Sequence, residues 1–144
     1  MGFVCQGRYA LAPIEPTDAE KYVNLQLDCM EQTYDPIYFD TLGESFTARH
    51  RTERNEYLED FHRHLSSPTV RGFFAYEVPG WTPDGGLSCS IGARINWDKP
   101  VGLALSLCEP SSWELERAES LPELPAGTRK LVHLYTLNHT HGTG

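Results

Sequence analysis

The sequence predicts a mixed α/β domain, in which one strand is followed by two helices and then by three further strands. Three observations predict it. A capped helical stripe begins near Thr17, aromatic and β-branched residues crowd Thr69–Val78, and two more apolar runs occupy Val101–Glu109 and Arg129–Leu137. At 144 residues the chain is expected to form a single domain, residues 1–144.

The first strand is expected over Arg8–Ile14, a short apolar segment that Pro13 helps to end. Thr17 and Glu20 then have the spacing of a capping box, and Pro16 stands just before them. Val23, Leu27, Met30 and Tyr34 recur at helical spacing, and Leu25 and Cys29 widen that stripe, so a helix is expected from about Asp18 to Thr33. A second helix is expected from the face formed by Phe46, His50, Tyr57, Leu58, Phe61 and Leu65. Its other faces carry Arg49, Arg51, Glu53, Arg54, Glu56 and Glu59, which can pair one turn apart, and Ser66, Ser67 and Pro68 end it.

Thr69–Val78 has the composition of a strand. Residues 79–100 are rich in proline and glycine, with Asp84, Gly85 and Gly86 as a turn signal, and are expected to form a long inserted loop carrying Trp81 and Trp97. Val101–Glu109 is continuously apolar, as in a buried strand. A polar, proline-punctuated linker leads to a last strand over Arg129–Leu137. Alternation along it places Leu131, His133, Tyr135 and Leu137 on one face.

Composition narrows the function. A formal charge of −8 argues against a general nucleic-acid binder or a protein held on an anionic membrane. No run approaches the roughly 18 apolar residues that span a bilayer, and no secretory leader is visible. Cys5, Cys29, Cys89 and Cys108 are widely and irregularly spaced, which disfavours a zinc ribbon and fits reduced thiols in a cytoplasmic protein. Cys89 and Cys108 are candidate nucleophiles, although no activating partner is readable. His139 and His141 are two apart with no carboxylate or cysteine beside them, and His62 and His64 sit two apart on a helix, so no metal is expected.

The last strand runs into "LYTLNHTHGTG", residues Leu134 to Gly144. Backbone amides around such glycines can hold phosphate. The segment lacks the third glycine of a dinucleotide fingerprint and the Gly-Lys-Ser/Thr of a Walker loop. Together with the order of elements, it resembles the GNAT family of acyl-CoA-dependent N-acetyltransferases. There, a strand L-Y-V-x-P leads into a loop Q/R-x-x-G-x-G/A whose amides hold the coenzyme A pyrophosphate. Leu134-Tyr135-Thr136-Leu137 match the strand end, with Thr136 in the valine place and Asn138 in the proline place. His141 takes the Q/R place, Gly142 and Thr143 the variable places, and Gly144 that of the first motif glycine.

The resemblance covers Tyr9 to Gly144, about the first two-thirds of such a domain. It implies a GNAT-like fold, with the strands after the helices forming a mostly antiparallel meander and the carboxyl third of the fold absent. It also implies transfer of an acetyl group from acetyl-CoA to an amine of a small molecule or peptide, by a chain that stops inside the pyrophosphate loop and is inactive in that form. The implied co-substrate site is Tyr135, Thr136, Leu137, His141, Gly142, Thr143 and Gly144. Family members often carry a glutamate base on this strand. Here His133 is the near-neutral titrating group in its place, a candidate base whose rival role is that of a hydrogen-bonded core histidine. Glu31, Tyr34 and Tyr38 occupy the segment that lines the family's acceptor site, and Tyr34 also continues the helical stripe. A non-catalytic interaction module on the same half-fold is the alternative. With its last strand uncovered, the chain is expected to be marginal in stability, to dimerise or to aggregate.

Overall fold

The computed structural model describes residues 2–85, 91–108 and 125–143. It is a mixed α/β structure built on a five-stranded antiparallel sheet in the order β1-β2-β3-β4-β5. The strands are β1 (Val4–Gln6), β2 (Tyr9–Pro13), β3 (Arg71–Glu77), β4 (Gly102–Leu107) and β5 (Lys130–Thr136). Three helices connect β2 to β3: α1 (Ala19–Leu42), α2 (Phe46–Thr52) and α3 (Arg54–Leu65). A four-residue α4 (Ile91–Arg94) lies in the β3–β4 connection. Among the described residues, no helix is long and apolar enough to cross a membrane.

Four of the strands match the expected segments. The first, β1, was not expected, because a three-residue strand carries too little alternation to read. It pairs with β2 through a turn in which Gly7 takes φ +59°. The first helix extends well beyond Thr33 and carries Pro36 inside it. Proline removes only one amide, and hydrogen bonds on either side hold the remaining turns. The cap also differs from the expected one. Glu15 and Asp18 form the capping box, around a single 3-10 turn at Pro16–Asp18, and α1 follows from it. The expected second helix is two helices, α2 and α3, meeting at Glu53.

Asp35 explains where α2 starts. Its carboxylate accepts from the backbone N–H of Thr47 at 2.9 Å, from the Thr47 hydroxyl at 2.8 Å and from the Ser45 hydroxyl at 2.7 Å. Ser45 in turn caps α2 by accepting from Ala48 N–H. An aspartate of α1 thereby organises the first turn of α2, where a negative charge also meets the helix dipole favourably. Across the same interface Arg51 bridges Asp28 at 3.0 Å and Glu31 at 2.5 Å. The expected pairing within a helix occurs between Arg49 and Glu53.

The helices cover one face of the sheet. Ala10, Ala12, Phe74, Tyr76, Leu103 and Leu105 point into the core against Tyr22, Val23, Leu27, Phe61 and Leu65. The opposite face is largely apolar and, away from the turn after β5, carries no helix among the described residues. Its cross-strand rows are Leu11–Ala75–Gly102–Thr136, Pro13–Phe73–Ala104–Leu134 and Arg71–Ser106–Leu131. Phe73, Leu134 and Leu131 are 48%, 65% and 57% exposed there.

The face expected for Leu131 is corrected by the register. Leu105 pairs with His133, but Ser106 pairs with Leu131, so Val132 is an extra residue on β5. Such a bulge reverses the alternation on one side of itself. His133 and Tyr135 therefore share the helix-covered face, and Leu131 lies on the open one.

Candidate functional site

β5 is the last strand of the sheet among the described residues, and it delivers the chain into the glycine turn. Leu137 N–H continues the ladder by donating to Val101 O at 2.9 Å. The next amide, that of Asn138, donates to the Gln32 side chain at 2.8 Å, which ties the turn to α1. Asn138–Thr140 then form one 3-10 turn. The amides of Thr140, His141 and Thr143 donate to Leu137 O, Asn138 O and Thr140 O within it. Gly142 has φ +73°, a left-handed conformation that disfavours any residue with a side chain. Gly144 lies outside the described residues.

The turn closes over the open face of the sheet. Thr136, Thr140 and Thr143 line a cavity of about 530 Å³ with Tyr9, Leu11 and Gly102. The Tyr9 and Thr143 hydroxyls share a short hydrogen bond, so the second strand and the turn are latched together. Gly102 keeps the floor low. A side chain there would meet Thr136 Cγ2 and Tyr135 O, each at 3.2 Å. The cavity thus combines an apolar floor with hydroxyls at the rim and with Arg8 and Trp81, and the outer edge of β5 from Leu131 to Thr136 has no strand partner among the described residues.

His133 faces the other way, into the helix layer. Its Nδ1 lies 2.8 Å from the Tyr22 hydroxyl, and the rings of Tyr22, Phe61 and Tyr135 surround it. Burial, with smaller contributions from His64 and Lys130, pushes its pKa down to about 4. Burial, reinforced by Tyr135, pushes the Tyr22 phenol strongly upward. The phenol therefore keeps its proton and donates to Nδ1, which leaves the ring proton of the neutral imidazole on Nε2. So weakly basic an imidazole has little driving force for taking a proton from an ammonium group.

The three acceptor candidates do not converge on this histidine. The Glu31 carboxylate is held by Arg51. Tyr34 and Tyr38 pack on Phe46 at 5.2 and 4.7 Å between ring centres, a separate aromatic cluster at the α1–α2 joint. Gln32, next to Glu31, is the residue of α1 that reaches the turn.

His139 and His141 also diverge. His139 Nε2 meets the Glu77 carboxylate at 3.0 Å, and His141 Nε2 approaches Thr136 O at 3.3 Å. His62 is exposed, while His64 Nδ1 bonds back to Asp60 O at 2.8 Å. Of the candidate nucleophiles, Cys108 is exposed with Arg129 Nη1 at 3.2 Å from its sulfur, and Cys89 lies outside the described residues. Cys29 is buried, and burial, then Asp28, pushes its thiol up to about 11, which makes it inert.

Tyr9, Thr140 and Gly102 are cavity residues that sequence reasoning passed over. Their signal was faint: a hydroxyl on the first strand, a threonine between two histidines, and a glycine opening an apolar run. No family model, curated protein or solved structure matches this chain.

Proposed function

We propose that this chain is an acyl-CoA-dependent N-acetyltransferase domain of the GNAT type, acting on an amine of a small molecule or peptide. One observation carries the reading. β5, which among the described residues has a strand partner on one side, runs directly into a glycine turn beside a cavity with an apolar floor and a hydroxyl rim. The antiparallel order of the strands and the residues Leu134 to Thr143 support it.

In this reading the outer edge of β5 around Tyr135, Thr136 and Leu137 pairs with the amide groups of the pantetheine arm. His141, Gly142 and Thr143 hold the diphosphate. The amides of Thr140, His141 and Thr143 donate inside the turn, and in this reading they exchange those acceptors for the diphosphate while Gly142 keeps its left-handed conformation. The neutral amine attacks the thioester carbonyl, a C–N bond forms, the C–S bond breaks, and the leaving thiolate takes a proton from solvent. Backbone donors on β5 stabilise the oxyanion. His133, hydrogen-bonded to Tyr22, positions β5 against α1 in this scheme, and water removes the proton of the amine.

A second reading has its own observation. The exposed side chains of Phe73, Leu131 and Leu134 suit a non-catalytic module that binds a partner through the open sheet face.

Hydrogen exchange with and without acetyl-CoA separates the two. The acetyltransferase reading expects slowed exchange over residues 133–143 and none over α3. Unchanged exchange over 133–143 at millimolar acetyl-CoA would favour the binding module.

A further inference from the structure

A second cleft, of about 730 Å³, lies at the end of the sheet beside the glycine turn. It is formed by the end of β3, the connection that follows it and the loop entering β4, together with Arg8 of the β1–β2 turn and Leu137 and His139 after β5. The chain carries 12 lysines and arginines against 20 acidic residues, yet this one cleft is lined by Arg8, Arg94 and Lys99. Its carboxylate is Glu77, and His139 holds that group at 3.0 Å.

None of the three cations has a carboxylate partner within ion-pair distance among the described residues. That contrasts with Arg49, Arg51 and Arg63, each of which is paired. Arg8 is fixed in place, its guanidinium standing 5.1 Å from the centre of the Trp81 ring. Arg94 reaches the connection at Gly80, its Nη2 standing 3.5 Å from where a Cβ on that residue would be. Lys99 also borders a neighbouring cleft that contains Asp18 and Asp98, so the two arginines define the cationic site.

We propose that this cleft is an anion site for a phosphate-bearing small molecule, with Arg8 and Arg94 as its charged ligands. Guanidinium groups suit the task because each presents a planar fork of donors to two phosphate oxygens. Cations that line one cleft without an ion-paired carboxylate repel, and a bound dianion removes that repulsion. The cleft adjoins the cavity beside the glycine turn and shares Arg8, Trp81 and Val101 with it, but Arg94 lines this cleft and not that cavity.

The test is titration calorimetry of inorganic pyrophosphate, and separately of AMP, into the full chain at low salt. Saturable binding of at least one probe is expected. Tighter binding of AMP would assign the phosphate to a nucleotide, and tighter binding of pyrophosphate to a diphosphate. Arg94→Gln, a change at an exposed residue, is expected to weaken binding about tenfold. Arg8→Gln together with Arg94→Gln is expected to abolish it, and Arg63→Gln on α3 to leave it unchanged. No binding of either probe, or equal affinity in Arg94→Gln, overturns the proposal. Coenzyme A, which also carries a diphosphate, is titrated into Arg94→Gln and Gly142→Val in parallel. The acetyltransferase reading expects Gly142→Val to weaken coenzyme A binding. The cleft assignment expects Gly142→Val to leave pyrophosphate and AMP binding unchanged, so that a loss there would assign the anion to the glycine turn and overturn the proposal.

Discussion

The Tyr22–His133 pair makes stability depend on pH in a defined window. The folded imidazole has its pKa lowered from 6.5 to about 4, chiefly by burial. The unfolded chain therefore binds a proton before the folded one does. Stability from this group is present above about pH 6.5 and is lost progressively as pH falls toward 4. One pKa unit corresponds to about 1.4 kcal/mol, so the loss between pH 7 and about pH 4.5 is on the order of 2 kcal/mol. Asp35 contributes with a lower window. Burial opposes its ionisation, but the hydrogen bonds from Ser45 and Thr47 outweigh that and hold its pKa below the ordinary 3.8. Its contribution is lost only as pH falls below that value.

The perturbation is Tyr22→Phe with His133→Leu. Removing both partners leaves no buried polar group stranded. Urea denaturation followed by circular dichroism at the two pH values gives the stabilities. The wild type is expected to lose about 2 kcal/mol more than the double variant over this interval. An equal loss in both proteins would refute the account and show that His133 titrates as an exposed histidine does.

Three further predictions concern the scaffold. Asp35→Ala strands the buried Thr47 amide and hydroxyl and uncaps α2, so urea denaturation should show a loss of about 2–3 kcal/mol. Gly72→Ala puts a methyl 2.8 Å from Leu105 Cδ1 and 3.0 Å from Ala104 O, and thermal melting should show a lower midpoint than wild type. Leu105→Ala, in the core at 1% exposed, should cost about 2–5 kcal/mol, whereas Leu134→Thr on the open face should cost under about 0.5 kcal/mol. If Leu134→Thr costs as much as Leu105→Ala, the open face is covered in solution.

Much of the fold was legible because its signals are local. The apolar runs marked β3, β4 and β5, and the spacing from Val23 to Met30 marked α1. What escaped depends on residues far apart in sequence. The helix expected to end near Thr33 runs on through Pro36 to Leu42, because the bonds from Asp35 to Ser45 and Thr47 that anchor this stretch are invisible locally. The start of α2 follows from Asp35, which bonds to Thr47 12 residues away. The bulge at Val132 exists only in the register against β4, so the face of Leu131 could not be read from alternation. In the candidate site, the glycine turn was legible from Gly142, while Tyr9 and Gly102 reach it only through sheet pairing. The burial of His133 under Tyr22 and Phe61 turned a near-neutral titrating group into a weak base, which no sequence pattern encodes.

The central claim is that β5 and the turn after it receive coenzyme A. Titration calorimetry of coenzyme A into this chain tests it most directly, with Gly142→Val as the control. A side chain at φ +73° disfavours the turn by about 1–2 kcal/mol, so the variant should bind about tenfold more weakly. Saturable one-site binding weakened in this way is the predicted result. No binding by the wild type, or the same affinity in Gly142→Val, would contradict the account.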